Sequence, residues 1–145
     1  MIGLIQRVSR ASVHVDNAII GEINAGILLL LGVEKKDTEE NAQQLLDKVI
    51  NFRIFEDDAQ KMNLSLLKTG GGLLVVPQFT LPANTQKGTR PSFASAAPPE
   101  QGRLLYNTFV KLAQEKIMDV STGKFGADMQ VSLINNGPVT FWLQK

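Results

Sequence analysis

The sequence predicts an α+β fold, with a mostly antiparallel, barrel-like sheet and two main helices. Three observations carry this. Short alternating or wholly apolar runs crowd the first and last thirds of the chain, as strands do. Two amphipathic stretches with helix-start signals stand between them. The chain has 145 residues, 43% of them hydrophobic, which suits a single domain, 1–145, with a real core.

In chain order, Ile2–Leu4 and Val8 begin a strand, and Val13–Val15 and Ile19–Ile23 form a hairpin about Asp16-Asn17. Ile27–Val33 is a buried strand, too short to span a bilayer. Asp37-Thr38-Glu39-Glu40 carries a capping pattern, an acceptor with a glutamate three residues on. The helix that follows places Ala42, Leu45, Leu46, Val49 and Ile50 on one stripe. Arg53-Ile54-Phe55 reads as a short strand. Gly70-Gly71-Gly72 turns the chain into Leu73-Leu74-Val75-Val76, an apolar and therefore central strand; no lysine-serine pair or helix start follows to make it a phosphate cradle. After a polar stretch from Pro82 to Pro99, Pro98-Pro99-Glu100 opens a second helix with Leu105, Phe109, Leu112 and Ala113 as its apolar stripe. Residues 128–133 and 139–143 read as two strands, with Gly137-Pro138 as the turn of a hairpin between them.

Composition excludes several chemistries. The chain has no cysteine and one histidine, so thiolate zinc sites, histidine-rich metal sites and cysteine nucleophiles are ruled out, and no metal or cofactor is expected. The single His14 lies opposite the apolar positions Ala11, Val13 and Val15 of its strand, on the wetter face, a poor place for a catalytic base. A net charge of +1 gives no global pull toward nucleic acid, so any such partner is held by a local patch. The N-terminus meets polar residues at once and carries no secretory pattern, so a cytoplasmic protein without a membrane partner is expected.

Candidate chemistry collects at the end of the central strand. Pro77-Gln78-Phe79-Thr80-Leu81 leads into the long loop, where a rigid scaffold fixes the backbone while side chains reach solvent. As a nucleophile Thr80 needs an adjacent base, and the sequence offers none; as a strand threonine it needs no explanation.

Gln78-Phe79-Thr80-Leu81 and Asn135-Asn136-Gly137-Pro138-Val139-Thr140 together resemble the two signature motifs of the D-aminoacyl-tRNA deacylases, also called D-tyrosyl-tRNA deacylases. The resemblance runs end to end, through Gln6-Arg7-Val8, Gly32-Val33, Lys61-Met62-Asn63, Lys87-Gly88-Thr89-Arg90-Pro91-Ser92-Phe93, Ala97-Pro98-Pro99-Glu100 and residues 122–129. One departure is Pro77, where the family usually has serine. Proline removes a backbone donor at the motif's first position and holds Val76 extended, which a strand tolerates at an edge or bulge.

The resemblance implies a homodimeric hydrolase of D-aminoacyl-tRNA esters, with no cofactor and with active sites at the subunit interface. Gln78, Phe79 and Thr80 of one chain would line each site. Gly137 and Pro138 of the other, joined by a cis peptide, would offer carbonyl oxygens to the substrate α-ammonium. An L side chain would then meet backbone while a D side chain points outward, and the achiral glycyl ester, as on mischarged alanine tRNA, would pass. Arg7 would steady the Gly137-Pro138 loop, and Phe125 and Met129 would form pocket walls. Lys87, Arg90 and Lys124 would contact tRNA phosphates. Backbone amides near Phe79 and Thr80 would hold the oxyanion, and a ribose hydroxyl would activate water. Two rival classes fit less well. A non-catalytic nucleic-acid binder calls for a basic face rich in aromatics, against one Trp and one Tyr here, and a small-molecule esterase calls for a Ser/His or metal constellation.

Overall fold

In the computed structural model, which describes residues 1–86 and 88–145, one long strand organises the sheet. Strand β1 (Ile2–Val15) runs unbroken where the sequence suggested two pieces. One edge of β1 is shared by β3 (Gly26–Gly32), along Ile2–Val8, and β2 (Ala18–Ile23), along Ala11–Val15. Asp16 and Asn17 join β1 to β2 with φ of 51° and 64°, the paired left-handed values of a two-residue hairpin turn that Asp and Asn tolerate. Beyond β3 the sheet turns parallel, through β6 (Gly72–Pro77) to β7 (Val120–Thr122). The sheet is thus antiparallel about β1 and parallel across β3, β6 and β7, a mixed α+β sheet.

The helices cover one face. In α1 (Glu39–Asn51) the buried residues are the five of the expected stripe. Its N-cap is Thr38, one residue later than the sequence suggested, and the Thr38 N–H donates to Asn41 Oδ1 at 2.9 Å. Asp37 is drawn inward instead, where its carboxylate accepts from the Met1 ammonium at 2.5 Å and from the Glu34 N–H at 2.7 Å. In α3 (Pro99–Lys116), Leu105, Tyr106, Phe109 and Ala113 are buried and Leu112 is half-buried. Between the helices and the sheet lies the larger core, in which Ile27, Leu29, Leu73 and Val75 meet Leu45, Leu46 and Phe109. Alternate residues of the same strands, Leu28, Leu74 and Val76, join Val8, Ala11, Val13 and Ile23 in a smaller core on the other face. Burial on both faces is why these strands are apolar without interruption.

Three short elements have no clear sequence signal: β5 (Met62–Leu64), which pairs with β4 (Phe55–Glu56), the one-turn helix α2 (Leu66–Thr69), and β7 itself. The largest revision concerns β8 (Gln130–Gln144). It is one strand, antiparallel to β1 throughout, and the predicted hairpin about Gly137-Pro138 does not form. Val8 pairs with Asn135 and Gln6 with Thr140, so Arg7 alone faces residues 136–139, which leave the sheet as a bulge. Both flanks of the pair therefore run in the same direction along the same partner. Among the described residues no helix is long and apolar enough to cross a membrane.

Candidate active site

The end of β6 fixes the first half of the site. The Gln78 N–H donates to the Leu31 carbonyl at 2.8 Å, which continues the β3–β6 ladder by one bond. Successive strand amides point to opposite edges, so the missing donor of Pro77 faces β7, whose pairing stops at Val75↔Thr122. Proline at this place interrupts no ladder bond. A turn then folds back onto β3, with Leu81 N–H donating to Gln78 O at 3.3 Å and Ala83 N–H to Thr80 O at 3.1 Å. Gly32 permits this approach, since a Cβ there would lie 2.9 Å from both Leu81 and Pro82.

Within the turn, Gln78 Nε2 donates to Thr80 Oγ1 at 2.6 Å. No carboxylate, lysine or histidine bonds to that hydroxyl among the described residues. The Phe79 and Thr80 N–H groups have no protein acceptor among them either, and both residues are exposed. Phe79 is 63% exposed and leans on Phe93, ring centroids 5.3 Å apart.

Gln78, Phe79 and Phe93, but not Thr80, border a cavity of about 700 Å³ between the end of β6, the loop before α3, the first turns of α3 and the β7–β8 connection. Pro77, Gln78 and Phe79 line one end of it and Phe125 and Met129 line it too. Phe125 is seated between α3 and the cavity. Gly102 leaves it room, its centroid is 6.0 Å from that of Tyr106, and the Arg103 guanidinium lies 5.2 Å over its ring. Met129 Sδ accepts from the Lys124 N–H at 3.3 Å and its side chain also packs on the smaller core, so it is cavity wall and core at once. Lys35 is the one charged residue of the lining, which is otherwise largely apolar and aromatic. Such a lining suits a flat ring and a neutral ester.

The second sequence motif is the Gly137-Pro138 bulge. The peptide is cis and Gly137 has φ 142°, a region L side chains avoid. Two side chains hold the loop. Arg7 is buried at 7% exposure; its Nε donates to the Asn136 carbonyl at 2.8 Å, its Nη1 to the Ile54 carbonyl at 2.8 Å, and its Nη2 to Glu56 Oε1 at 3.3 Å. Asn135 spans the loop from the other side, accepting from the Val139 N–H at 2.7 Å and donating to Thr140 Oγ1 at 2.9 Å. Gly137 and Pro138 are exposed and neither lines the cavity of their own chain.

The remaining sequence candidates separate. Lys124 is exposed beside Phe125, whereas Arg90 is exposed on the long loop and borders none of the described cavities. Lys87 lies outside the described residues. His14 is half-buried on β1 and lines no described cavity. Sequence reasoning missed Asn135, Tyr106 and Arg103. Asn135 had a signal in its place beside the glycine-proline pair. Tyr106 and Arg103 had none, because their roles come from α3 packing on the β7–β8 connection. The single Tyr106 Oη proton is shared between the carbonyls of Val75 (3.0 Å) and Gly123 (3.1 Å), and burial pushes its phenol pKa up.

Comparison with known proteins gives a consistent result. The family described as D-Tyr-tRNA(Tyr) deacylase matches residues 4–144. A D-aminoacyl-tRNA deacylase of Pseudoalteromonas atlantica (strain T6c / ATCC BAA-1087) is 64% identical over 143 residues, 99% of each chain. A protein of the same name from Escherichia coli O1:K1 / APEC is 55% identical over 144 residues, again 99% of each. Among solved structures, the c-Myc DNA Unwinding Element Binding Protein superposes with TM-score 0.96 at 38% identity, covering 100% of this chain and 99% of that one. A structure described as a probable eukaryotic D-amino acid tRNA deacylase shares the fold, with TM-score 0.88 at 16% identity over 99% and 98% of the two chains.

Proposed function

The chain belongs to the D-aminoacyl-tRNA deacylase family, a family of ester hydrolases, and we propose that it cleaves D-aminoacyl-tRNA under a chirality filter supplied by Gly137-Pro138 of a second copy. The observation that carries this is the placement of the loop. Arg7 and Asn135 anchor Gly137-Pro138 on both sides, yet the pair is exposed and absent from its own chain's cavity. A loop so firmly held and so projecting is suited to completing a site elsewhere. A second copy has apolar side chains of β8 to meet: Ile134 and Trp142 are 47% and 51% exposed and Leu133 is exposed as well, whereas Phe141 packs edge-on against Phe52. A two-fold dimer would bring each loop to the other chain's cavity.

In that arrangement the carbonyl oxygens of the pair accept hydrogen bonds from the substrate α-ammonium. With the ammonium and ester carbonyl both fixed, an L side chain meets the loop backbone and a D side chain does not. Glycine has no side chain to meet it, so glycyl-tRNA(Ala) passes. Selection by backbone is indifferent to which D side chain is present.

The chemistry needs little from side chains. Water attacks the ester carbonyl, and the developing oxyanion is met by the Phe79 and Thr80 N–H groups, which no protein acceptor occupies among the described residues. Each such donor supplies about 2.7–4 kcal/mol in comparable sites. The terminal ribose 2′-hydroxyl accepts the water proton while passing its own to the 3′-oxygen, whose bond to the acyl carbon then breaks, releasing the D-amino acid and tRNA. Thr80 positions, through its bond to Gln78, and lacks the adjacent base a nucleophile requires. A tRNA substrate fits a cytoplasmic setting.

The test follows ester loss from D-tyrosyl-, L-tyrosyl- and glycyl-tRNA(Ala). Hydrolysis of the D and glycyl esters with the L ester spared is expected; equal D and L rates, or a stable D ester, would sink the reading.

A further inference from the structure

A second cleft, of about 340 Å³, opens on the far side of Phe125. Arg103, Asn107, Lys111 and Gln114 reach it from α3, and Thr122 and Lys124 from the β7–β8 side. Positions 103, 107, 111 and 114 recur every three or four residues and so share one face of the helix. Arg103 and Lys111 are separated by about 12 Å along the axis, from 1.5 Å of rise per residue. Tyr106 and Phe125 belong to the walls of both this cleft and the larger cavity, so the two adjoin.

The charge of the cleft is distinctive. Three cations line it and no carboxylate does. Among the described residues none of Arg103, Lys111 and Lys124 has a carboxylate within 4.0 Å, as holds for every described Lys and Arg except Arg7 and Lys116. A chain of net charge +1 thus gathers three cations and no carboxylate in a cleft beside its larger cavity. Polar amides at 107 and 114 lie between and beyond them, the mixture that phosphate and sugar contacts use.

We propose that this cleft, formed by Arg103, Lys111 and Lys124, is a phosphodiester track that binds the acceptor strand of the tRNA. The inference rests on the deacylase reading of the larger cavity. With the ester at Gln78-Phe79, the terminal adenosine lies toward Phe125, and the strand leaving it passes over the edge of that ring into the cleft. Arg103, stacked on Phe125, marks the junction. The track replaces Arg90 as a phosphate contact and retains Lys124.

The test measures binding of fluorescently labelled, deacylated tRNA across a salt series. It compares wild type with Lys111→Gln and with the triple variant Arg103→Gln/Lys111→Gln/Lys124→Gln. Losing each phosphate contact should lower the slope of log K against log salt by about 0.7–0.9, so the triple variant loses about 2.1–2.7 and binds at least about tenfold more weakly. In parallel, the ratio of kcat/KM on D-tyrosyl-tRNA to that on D-tyrosyl-adenosine should fall at least about tenfold, through KM on tRNA. The charge-preserving triple variant, Arg103→Lys/Lys111→Arg/Lys124→Arg, should keep the wild-type slope. An unchanged slope and ratio in the triple variant overturns the proposal. If the triple variant fails to fold, exposed Lys111→Gln decides alone, by the presence or absence of its single step in slope. If wild type hydrolyses no D ester, the deacylase reading fails, while the slopes with deacylated tRNA still judge the cleft.

Discussion

Arg7 Nε donates to the carbonyl of Asn136 at 2.8 Å, from a strand position that faces the four-residue bulge alone. The bond ties the Gly137-Pro138 loop to the core strand β1, and the two further bonds of Arg7 tie it to Ile54 and Glu56. A planar guanidinium can serve these divergent acceptors together; an ammonium cannot match that geometry. Arg7→Lys should therefore retain the charge and lose the loop. The expected outcome is at least a hundredfold loss in kcat/KM on D-tyrosyl-tRNA, about 2.7 kcal/mol of transition-state stabilisation. Chemical unfolding at fixed protein concentration should show roughly 1–3 kcal/mol less stability, from the buried Ile54 carbonyl left unbonded.

Gly137 has φ 142°, and a Cβ there would lie 2.6 Å from Val139 Cγ2 and 3.2 Å from Arg7 Nη2. Gly137→Ala should distort the loop at a local strain of about 1–3 kcal/mol. Steady-state kinetics should show a strong loss of D-ester turnover, with the cavity lined by Gln78 and Phe79 intact in a crystal structure.

Thr80 Oγ1 accepts from Gln78 and has no bonded base among the described residues. Thr80→Ala should keep turnover within about tenfold of wild type, since it removes one positioning bond of about 1 kcal/mol. A substrate ending in 2′-deoxyadenosine should lose far more. Near-complete loss with Thr80→Ala while tRNA binding stays intact would instead make Thr80 the nucleophile.

Tyr106 is 4% exposed, and burial raises its pKa from the ordinary 10.0. The folded chain holds this proton where the unfolded chain releases it, so the contribution is complete below pH 10 and is lost as pH rises beyond. Denaturant melts from neutral to alkaline pH should show that decline in wild type and less of it in Tyr106→Phe. At neutral pH the variant should be less stable by roughly 1–3 kcal/mol, because the Val75 and Gly123 carbonyls lose a buried donor.

Much of the fold was legible because periodicity reports burial. The stripe of α1, the hairpin at Asp16-Asn17 and the central strand Leu73–Val76 all follow from local pattern. β5, α2 and β7 were not legible, being three or four residues' worth of pattern held by their neighbours. The hairpin expected at Gly137-Pro138 failed for a related reason: Asn-Gly-Pro between two alternating runs signals a turn, and only the pairing partner decides whether the chain reverses. Both flanks of the pair run along β1, so the chain bulges instead. At the site, Gln78, Phe79, Gly137 and Pro138 were readable as motifs. Arg103 and Tyr106 were not, since a helix face acquires such a role only by the surface it packs against.

In the proposed dimer the loop of one chain serves the cavity of the other, and subunit mixing tests that most directly. Gly137→Ala spoils the loop, and Gly32→Val pushes the turn that carries the Phe79 and Thr80 N–H groups away from β3, since a Cβ there would lie 2.9 Å from Leu81 and Pro82, so each pure variant should be inactive on D-tyrosyl-tRNA. After unfolding and refolding together, each mixed dimer would contain one site with a sound loop and a sound cavity. Random re-pairing should then restore roughly a quarter of wild-type activity. No recovery from a mixture shown by mass spectrometry to contain the mixed dimer would contradict the shared site.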